Sequence, residues 1–333
     1  MHSILVISEV VRLCWWKSKL TKHPLKNMNE QLLRRLQEIQ GKADWWEAIK
    51  ADASGPVPGS NPCFLAVRTN SIEAYYHGGL VADIRLQQGE VTVRVNRKFL
   101  FPTADHEADY VELRHSNDMR ATDEMRSCFN KWHLAERFQS VKRAAALLAG
   151  PEKEWIHRAL IERNPNILDL EIAEGDGRSR IDLAAVRGTP DSLEIVHYEV
   201  KHVSNPQLFP GPGEEPAEVV EQLTRYDKLI AEHGGRLKRR YRELAKAALE
   251  LELSPCFLRG LPEARKQHRI DEKTLTALAK GEFQLSPDAV LVVLGLLKTP
   301  DPKVAKAIEV LKSAHKRSVL TFGTQGQGGI SKG

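Results

Sequence analysis

From residue 151 onward the sequence predicts an α/β fold, a mixed sheet flanked by helices, with a smaller α+β domain before it. Three observations lead there. Strand-like runs at 168–174, 180–186 and 193–203 follow one another with no helical pattern between them. An all-apolar run at 288–297 has the composition of a strand buried on both faces. Helical patterns precede, separate and follow these runs, so the order reads α-β-β-β-α-β-α-β.

Residues 1–27 begin apolar but carry Glu9 and Arg12 within the apolar run, with the lysines after it, the wrong order for a signal peptide. They read as a leader upstream of a start at Met28, where "MNEQLLRRLQEIQ" opens a helical period. That helical segment spans 28–50 and includes Trp45 and Trp46, read as packing anchors and not base-stacking residues. "ADASGPVPGSNP" (51–62) is a linker or long loop. Alternating segments between Cys63 and Leu100 predict a small antiparallel sheet, with turns at Gly78-Gly79 and Gln88-Gly89. Residues 123–150 predict one or two helices ending at Gly150, which closes an N-terminal domain of 28–150. The second domain, 151–323, opens with a helix that stops before Pro165. "AEVVEQLTRYDKLIAEHGG" is a helix closed by Gly234-Gly235, Pro302 starts another, and "SVLTFG" adds a last strand. The Gly-rich tail, 324–333, reads as disordered.

The net charge is +5, but residues 1–27 hold five basic residues and one acidic, which leaves only +1 for the rest. A case for nucleic-acid binding must therefore come from local patches. No apolar run reaches the roughly 18 residues of a membrane span. Cys14, Cys63, Cys128 and Cys256 show neither CxxC spacing nor a zinc knuckle, and read as reduced structural cysteines of a cytoplasmic protein.

Charge within strands singles out 180–202. Asp182 interrupts one strand-like run, and Glu199 and Lys201 interrupt the next. An acidic residue two before a lysine recurs at Asp271-Glu272-Lys273 and Asp301-Pro302-Lys303, but both of those open helices, where acidic residues favour the positive dipole end. Side chains alternate along a strand, so His197, Glu199 and Lys201 share one face, and Val196, Tyr198 and Val200 the other. Two carboxylates and an ammonium buried together cost on the order of several kcal/mol per ion unless compensated. A divalent cation compensates them: Mg²⁺ (or Mn²⁺) takes the carboxylates of Asp182 and Glu199, the carbonyl of Val200 and waters. Such a site suits phosphodiester hydrolysis. The ion polarises the phosphoryl oxygen and lowers the pKa of a bound water, while Lys201 orients or deprotonates that water or stabilises charge on the phosphate. The bland alternative is a structural Asp182–Lys201 ion pair, which leaves Glu199 unexplained.

Over about 151–297 the chain resembles the PD-(D/E)XK, or restriction-endonuclease-like, nuclease superfamily. The likeness rests on Glu154, eleven residues before Pro165 in the first helix, then Asp182 in "RIDLAAV", then Glu199-Val200-Lys201. It also rests on "QLTRY", with Gln222 and Tyr226 four apart on one helical face, similar to the QxxxY feature of RecB-like nuclease domains, phage exonucleases and mismatch-specific endonucleases. The resemblance implies a restriction-endonuclease-like core and a Mg²⁺-dependent deoxyribonuclease working in phage defence, restriction or DNA repair. It implies that Asp182 and Glu199 are metal ligands, Lys201 the catalytic lysine and Glu154 an accessory metal-side carboxylate. Gln222 and Tyr226 would contact DNA or buttress the site. The chain departs from the pattern twice: Ile181 stands where the family has proline, and Glu152 competes with Glu154 for the accessory role.

"RLKRRYRELAK" follows the Gln222–Tyr226 helix, and Arg239 and Arg240 are candidates for DNA phosphates, against the alternative of a solvated helix face. His197 and His202 read as polar neighbours of the motif. DNA, double- or single-stranded, is the expected partner, with no membrane. Substrate recognition or homo-oligomeric association falls to the N-terminal domain. The rival is a catalytically idle DNA-binding or scaffold protein that retains the fold, and an RNA-directed nuclease is a third reading. Asp182→Ala and Glu199→Ala are each expected to abolish cleavage while thermal stability holds or rises, because like-charge repulsion is relieved. Glu154→Ala is expected to weaken cleavage more than Glu152→Ala.

Overall fold

The computed structural model describes residues 30–54, 62–68, 70–100, 110–114, 134–161, 164, 166–173, 180–211, 216–251, 253, 270–297 and 299–323. The leader, residues 55–61 of the linker, the tail, Cys14, Cys128 and Cys256 lie outside them.

The helical segment expected over 28–50 is two helices, α1 (Glu30–Ile39) and α2 (Asp44–Ser54). Gly41, at φ +72°, takes a left-handed conformation that stops the first. Leu32 and Leu36 of α1 and Trp46 of α2 are completely buried, which supports the packing role for that tryptophan. Five antiparallel strands follow in sequential order: β1 (Phe64–Val67), β2 (Ser71–Tyr76), β3 (Gly79–Gln87), β4 (Glu90–Asn96) and β5 (Tyr110–Arg114). A short helix, α3 (Arg97–Leu100), separates the last two, and α4 (Leu134–Leu147) packs on the sheet. The first turn is His77-Gly78, one residue earlier than expected: both have positive φ, and Tyr76 pairs with Gly79. The second turn lies at Gln88-Gly89, as expected.

The second sheet holds β6 (Ile167–Ala173), β7 (Arg180–Thr189), β8 (Ser192–His202), β10 (Val290–Leu296) and β11 (Val319–Gly323), in the order β11-β10-β8-β7-β6. A two-residue strand, β9 (Gln284–Leu285), pairs with the start of β8. β8, β10 and β11 run parallel, and β6 and β7 are antiparallel to their neighbours. The helices are α5 (Pro151–Trp155), α6 (Glu218–Glu250), α7 (Glu272–Lys280) and α8 (Pro302–Ser313). The protein is thus mixed α/β with one antiparallel and one mixed sheet, and no helix among the described residues is long and apolar enough to cross a membrane. Asp271 and Asp301 cap α7 and α8 through their side chains, which accounts for both of those acidic triplets locally.

Two helical expectations fail. Gly234-Gly235 does not close a helix; α6 runs through it for 33 residues. Leu229 and Ile230 before the glycines and Leu237, Tyr241 and Leu244 after them keep one buried face, and that packing outweighs the roughly 1 kcal/mol each glycine costs a helix. The first helix of the second domain widens after α5 into a π-helical turn, Ile156–Ile161, for which the sequence carries no signal.

That π turn carries His157, fully buried against Tyr76 and His77 of the β2–β3 turn, with ring centroids 5.0 and 4.7 Å away. Lys142 lies over the Tyr76 ring, and the Lys153 side chain lies against Gly78. Burial first, then His77, Lys142 and Arg158, hold the His157 pKa down to about 3. The unfolded chain takes up this proton from about pH 6.5 downward, and the folded protein does not. Stability is therefore full above that pH and falls as pH drops toward the folded value. Thermal melts across this range should show a shallower acid limb for His157→Phe than for the wild type. An identical limb would locate the acid sensitivity elsewhere.

The second sheet buries both faces. Leu183, Val196, Tyr198 and Val200 pack with Leu160 and Ile161, and also with Phe64 and Ala66 of β1, so the two sheets share a core. The opposite face receives α6, through Leu223, Tyr226 and Tyr241.

Candidate active site

Asp182, Glu199 and Lys201 meet where two strands part. The β7–β8 ladder runs from Thr189–Ser192 to Leu183–Tyr198 and stops; Asp182 and Glu199 would be the next pair. Asp182 instead turns its carboxylate to the strand edge, where Oδ2 accepts the Val200 N–H at 2.7 Å. The other edge of β8 stays paired to β10 through His202. In a strand, N–H and C=O of one residue point to the same edge, so the Val200 carbonyl also faces the side that β7 leaves.

Lys201 Nζ lies 2.5 Å from Glu199 Oε1, with side-chain exposures of 8% and 2%. Glu199 Oε2 accepts from the Tyr226 hydroxyl of α6 at 2.7 Å. The same hydroxyl meets the Arg180 carbonyl of β7, so with one proton and two acceptors it bridges the parted strands. Burial first, then Glu199 and Asp182, push the Tyr226 pKa up, and it stays a neutral donor. Asp182 keeps some contact with solvent, yet its carboxyl is raised well above the usual carboxylate range, by desolvation first and Glu199 second. Val200 N–H and Lys201 oppose that rise.

His197 shares this face of β8. Its Nε2 lies 2.8 Å from the Tyr241 hydroxyl, and burial lowers its pKa to about 4. His202 Nδ1 lies 2.7 Å from Ser204 Oγ, beside the Trp155 ring. Each histidine thus has a hydroxyl partner, while the buried Nδ1 of His197 has no hydrogen-bond partner among the described residues.

These contacts revise the stability expectations. Glu199→Ala removes the carboxylate that Lys201 meets in a buried setting and should lower thermal stability by about 3 kcal/mol, where relief of repulsion alone predicts a gain. Asp182→Ala would orphan the Val200 N–H, whereas Asp182→Asn keeps an acceptor there and should hold or raise stability. Melts of both variants in EDTA test the pair. A Glu199→Ala protein as stable as the wild type would mean that its contact with Lys201 contributes nothing.

No family model matches the chain, and no curated protein and no solved structure matches it. The reading of the site therefore rests on its own residues.

Glu154 does not join the two carboxylates. It pairs with Arg158 at 3.1 Å on the surface of α5 and the π turn, within electrostatic reach of His77. The Glu152 side chain lies outside the described residues. After Glu199, the other carboxylate that acts on Asp182 is Glu171 of β6, the smallest of the causes. The pairs Leu170–Leu183 and Ile172–Ile181 bracket it across from Asp182. Its φ of +50° is strained for a non-glycine residue, on the order of 1–3 kcal/mol. Leu170 and Ile172, which a regular strand would place on one face, enter different cores. Nothing in the local sequence marks that reversal.

Gln222 lies one turn before Tyr226, and its Oε1 is buried with no hydrogen-bond partner among the described residues. Arg240 turns inward: Nε and Nη2 lie 3.0 and 2.9 Å from Asp169 Oδ2. Arg239 is exposed but sits roughly 140° around α6 from Tyr226. The basic stretch thus divides between an internal ion pair and an outer face turned away from Asp182 and Glu199.

Among the described residues no group of three or more His, Cys, Asp or Glu side chains forms a metal cage. The donor set still fits Mg²⁺ or Mn²⁺, which use one or two carboxylates and complete their shell with water. Two carboxylates and a carbonyl on one strand edge are hard oxygen donors, and a cation there would oppose the rise that desolvation first and Glu199 second impose on the Asp182 carboxyl.

Proposed function

We propose that the chain is a divalent-metal-dependent deoxyribonuclease with a restriction-endonuclease-like core, acting in phage defence, restriction or DNA repair. The observation that carries this reading is the parting of β7 and β8 at Asp182, with Glu199 and Lys201 gathered at the opening. Asp182, Glu199 and the Val200 carbonyl would hold the ion. When bound, it would supply phosphoryl polarisation and a water of lowered pKa. Lys201 stabilises negative charge building on the phosphate, held in reach by Glu199. Tyr226 fixes the Glu199 carboxylate and, as a neutral hydroxyl, leaves its charge intact. Asp182 is oriented by the Val200 N–H, so little rearrangement is needed for it to act.

One observation favours the idle DNA-binding alternative: both Glu199 oxygens already have partners, Lys201 and Tyr226. Purified protein incubated with linear, circular and single-stranded DNA, in Mg²⁺, Mn²⁺ or EDTA, separates the two. Metal-dependent cleavage supports the nuclease; binding without cleavage in every metal supports the scaffold.

A further inference from the structure

We propose that Arg68 is a positioning residue for this site, through which the first sheet fixes β6 and α6 against β8. The activity part of this rests on the nuclease reading; the structural part does not. Arg68 follows β1, and its guanidinium crosses into the second sheet. Nη1 meets Asp169 Oδ1, and Nη2 donates to the Leu170 carbonyl at 2.5 Å. Nε donates to Glu73 at 2.8 Å, and the same Glu73 oxygen accepts from the Tyr75 hydroxyl. Asp169 is fully buried, and its other oxygen takes Arg240 of α6. One carboxylate thus joins β1, β6 and α6. Desolvation works against the Arg68 charge, but Asp169 and Glu73 outweigh it, so the guanidinium stays protonated.

The link continues to the site. Tyr241, next to Arg240, holds His197 of β8, two residues before Glu199 and on the same face. Phe64 and Ala66, just before Arg68, share a core with Tyr198 and Val200. A recognition module on a loose tether would have no use for an arginine inserted this way. Arg68→Lys cannot reproduce it, because one ammonium cannot reach Asp169, Glu73 and the Leu170 carbonyl at once.

The test uses full-length Arg68→Ala and Arg68→Lys with two readouts. In hydrogen exchange, amides of 166–173 and 236–246 should exchange faster in both variants, while those of α1 and α2 match the wild type. In cleavage assays kcat should fall by about tenfold with KM unchanged. Arg68→Lys, which keeps the charge, serves if Arg68→Ala does not fold. Unchanged exchange in both segments would overturn the proposal, as would a loss confined to KM, which would make Arg68 a substrate contact. If the wild-type protein cleaves no DNA, the nuclease reading fails and exchange alone decides the role of Arg68.

Discussion

Lys201→Ala is expected to slow cleavage by roughly 10²–10³-fold, about 3–4 kcal/mol of transition-state stabilisation, while DNA binding in Ca²⁺ persists. The carboxylates and the Val200 carbonyl remain. What disappears is the positive charge beside the scissile phosphate, an interaction that matters most in the transition state. Lys201 Nζ also occupies Glu199 Oε1, so its removal frees an oxygen and leaves two carboxylates less compensated. The variant should therefore bind a divalent cation more tightly than the wild type, seen as a larger rise in melting temperature on adding Mg²⁺. Lys201→Arg should not restore the rate: the planar guanidinium is bulkier and cannot place its charge where the compact ammonium stands. A gel-shift titration in Ca²⁺ beside a time course in Mg²⁺ measures both effects. Equal losses of binding and cleavage would make Lys201 a phosphate anchor.

Asp52→Ala is expected to be the most destabilising single change in the first domain, by about 3–5 kcal/mol. Asp52 and Lys142 are each 2% exposed and pair at 2.7 Å. Asp52 Oδ1 also accepts from Gln139, and Oδ2 from the Cys63 N–H. Truncation takes the carboxylate from an ammonium buried beside Tyr76 and from the Gln139 and Cys63 donors. Replacing Asp52 and Lys142 together by apolar residues of similar volume should recover most of the loss, because it also removes the ammonium whose burial Asp52 offsets. Urea melts of the single and double variants check this. A double variant no better than Asp52→Ala would assign the loss to Gln139 and Cys63 instead.

The strands of the second sheet were legible because their periods are strong. The run over 288–297 and the segments around Asp182 and Glu199 fall where the sheet places them, within a residue or a few at each end. The face shared by His197, Glu199 and Lys201 followed from alternation alone. What the sequence concealed depends on tertiary packing. Gly234-Gly235 has the composition of a helix end, and only the continuous buried face of α6 overrides it. Glu154 had the right spacing from Pro165, but it pairs with Arg158 on the surface and forms no group with Asp182 and Glu199 among the described residues. Glu171 comes into play through a left-handed backbone that no residue preference announces. Arg239 and Arg240 looked alike as neighbours in a basic run, yet the roughly 100° between successive helical residues sends one to solvent and the other to Asp169. The Arg68–Asp169 contact spans a hundred residues of chain and has no local signature.

The most direct test of the central claim is a cleavage time course on linear duplex DNA, comparing the wild type with Asp182→Asn in Mg²⁺ and in EDTA, with both proteins first shown to melt at similar temperatures. Asp182→Asn keeps the acceptor for the Val200 N–H and removes only the charge. The expected result is Mg²⁺-dependent cleavage by the wild type, none in EDTA, and none by Asp182→Asn under either condition. Cleavage by a folded Asp182→Asn protein at the wild-type rate would contradict the assignment of this opening as the active site.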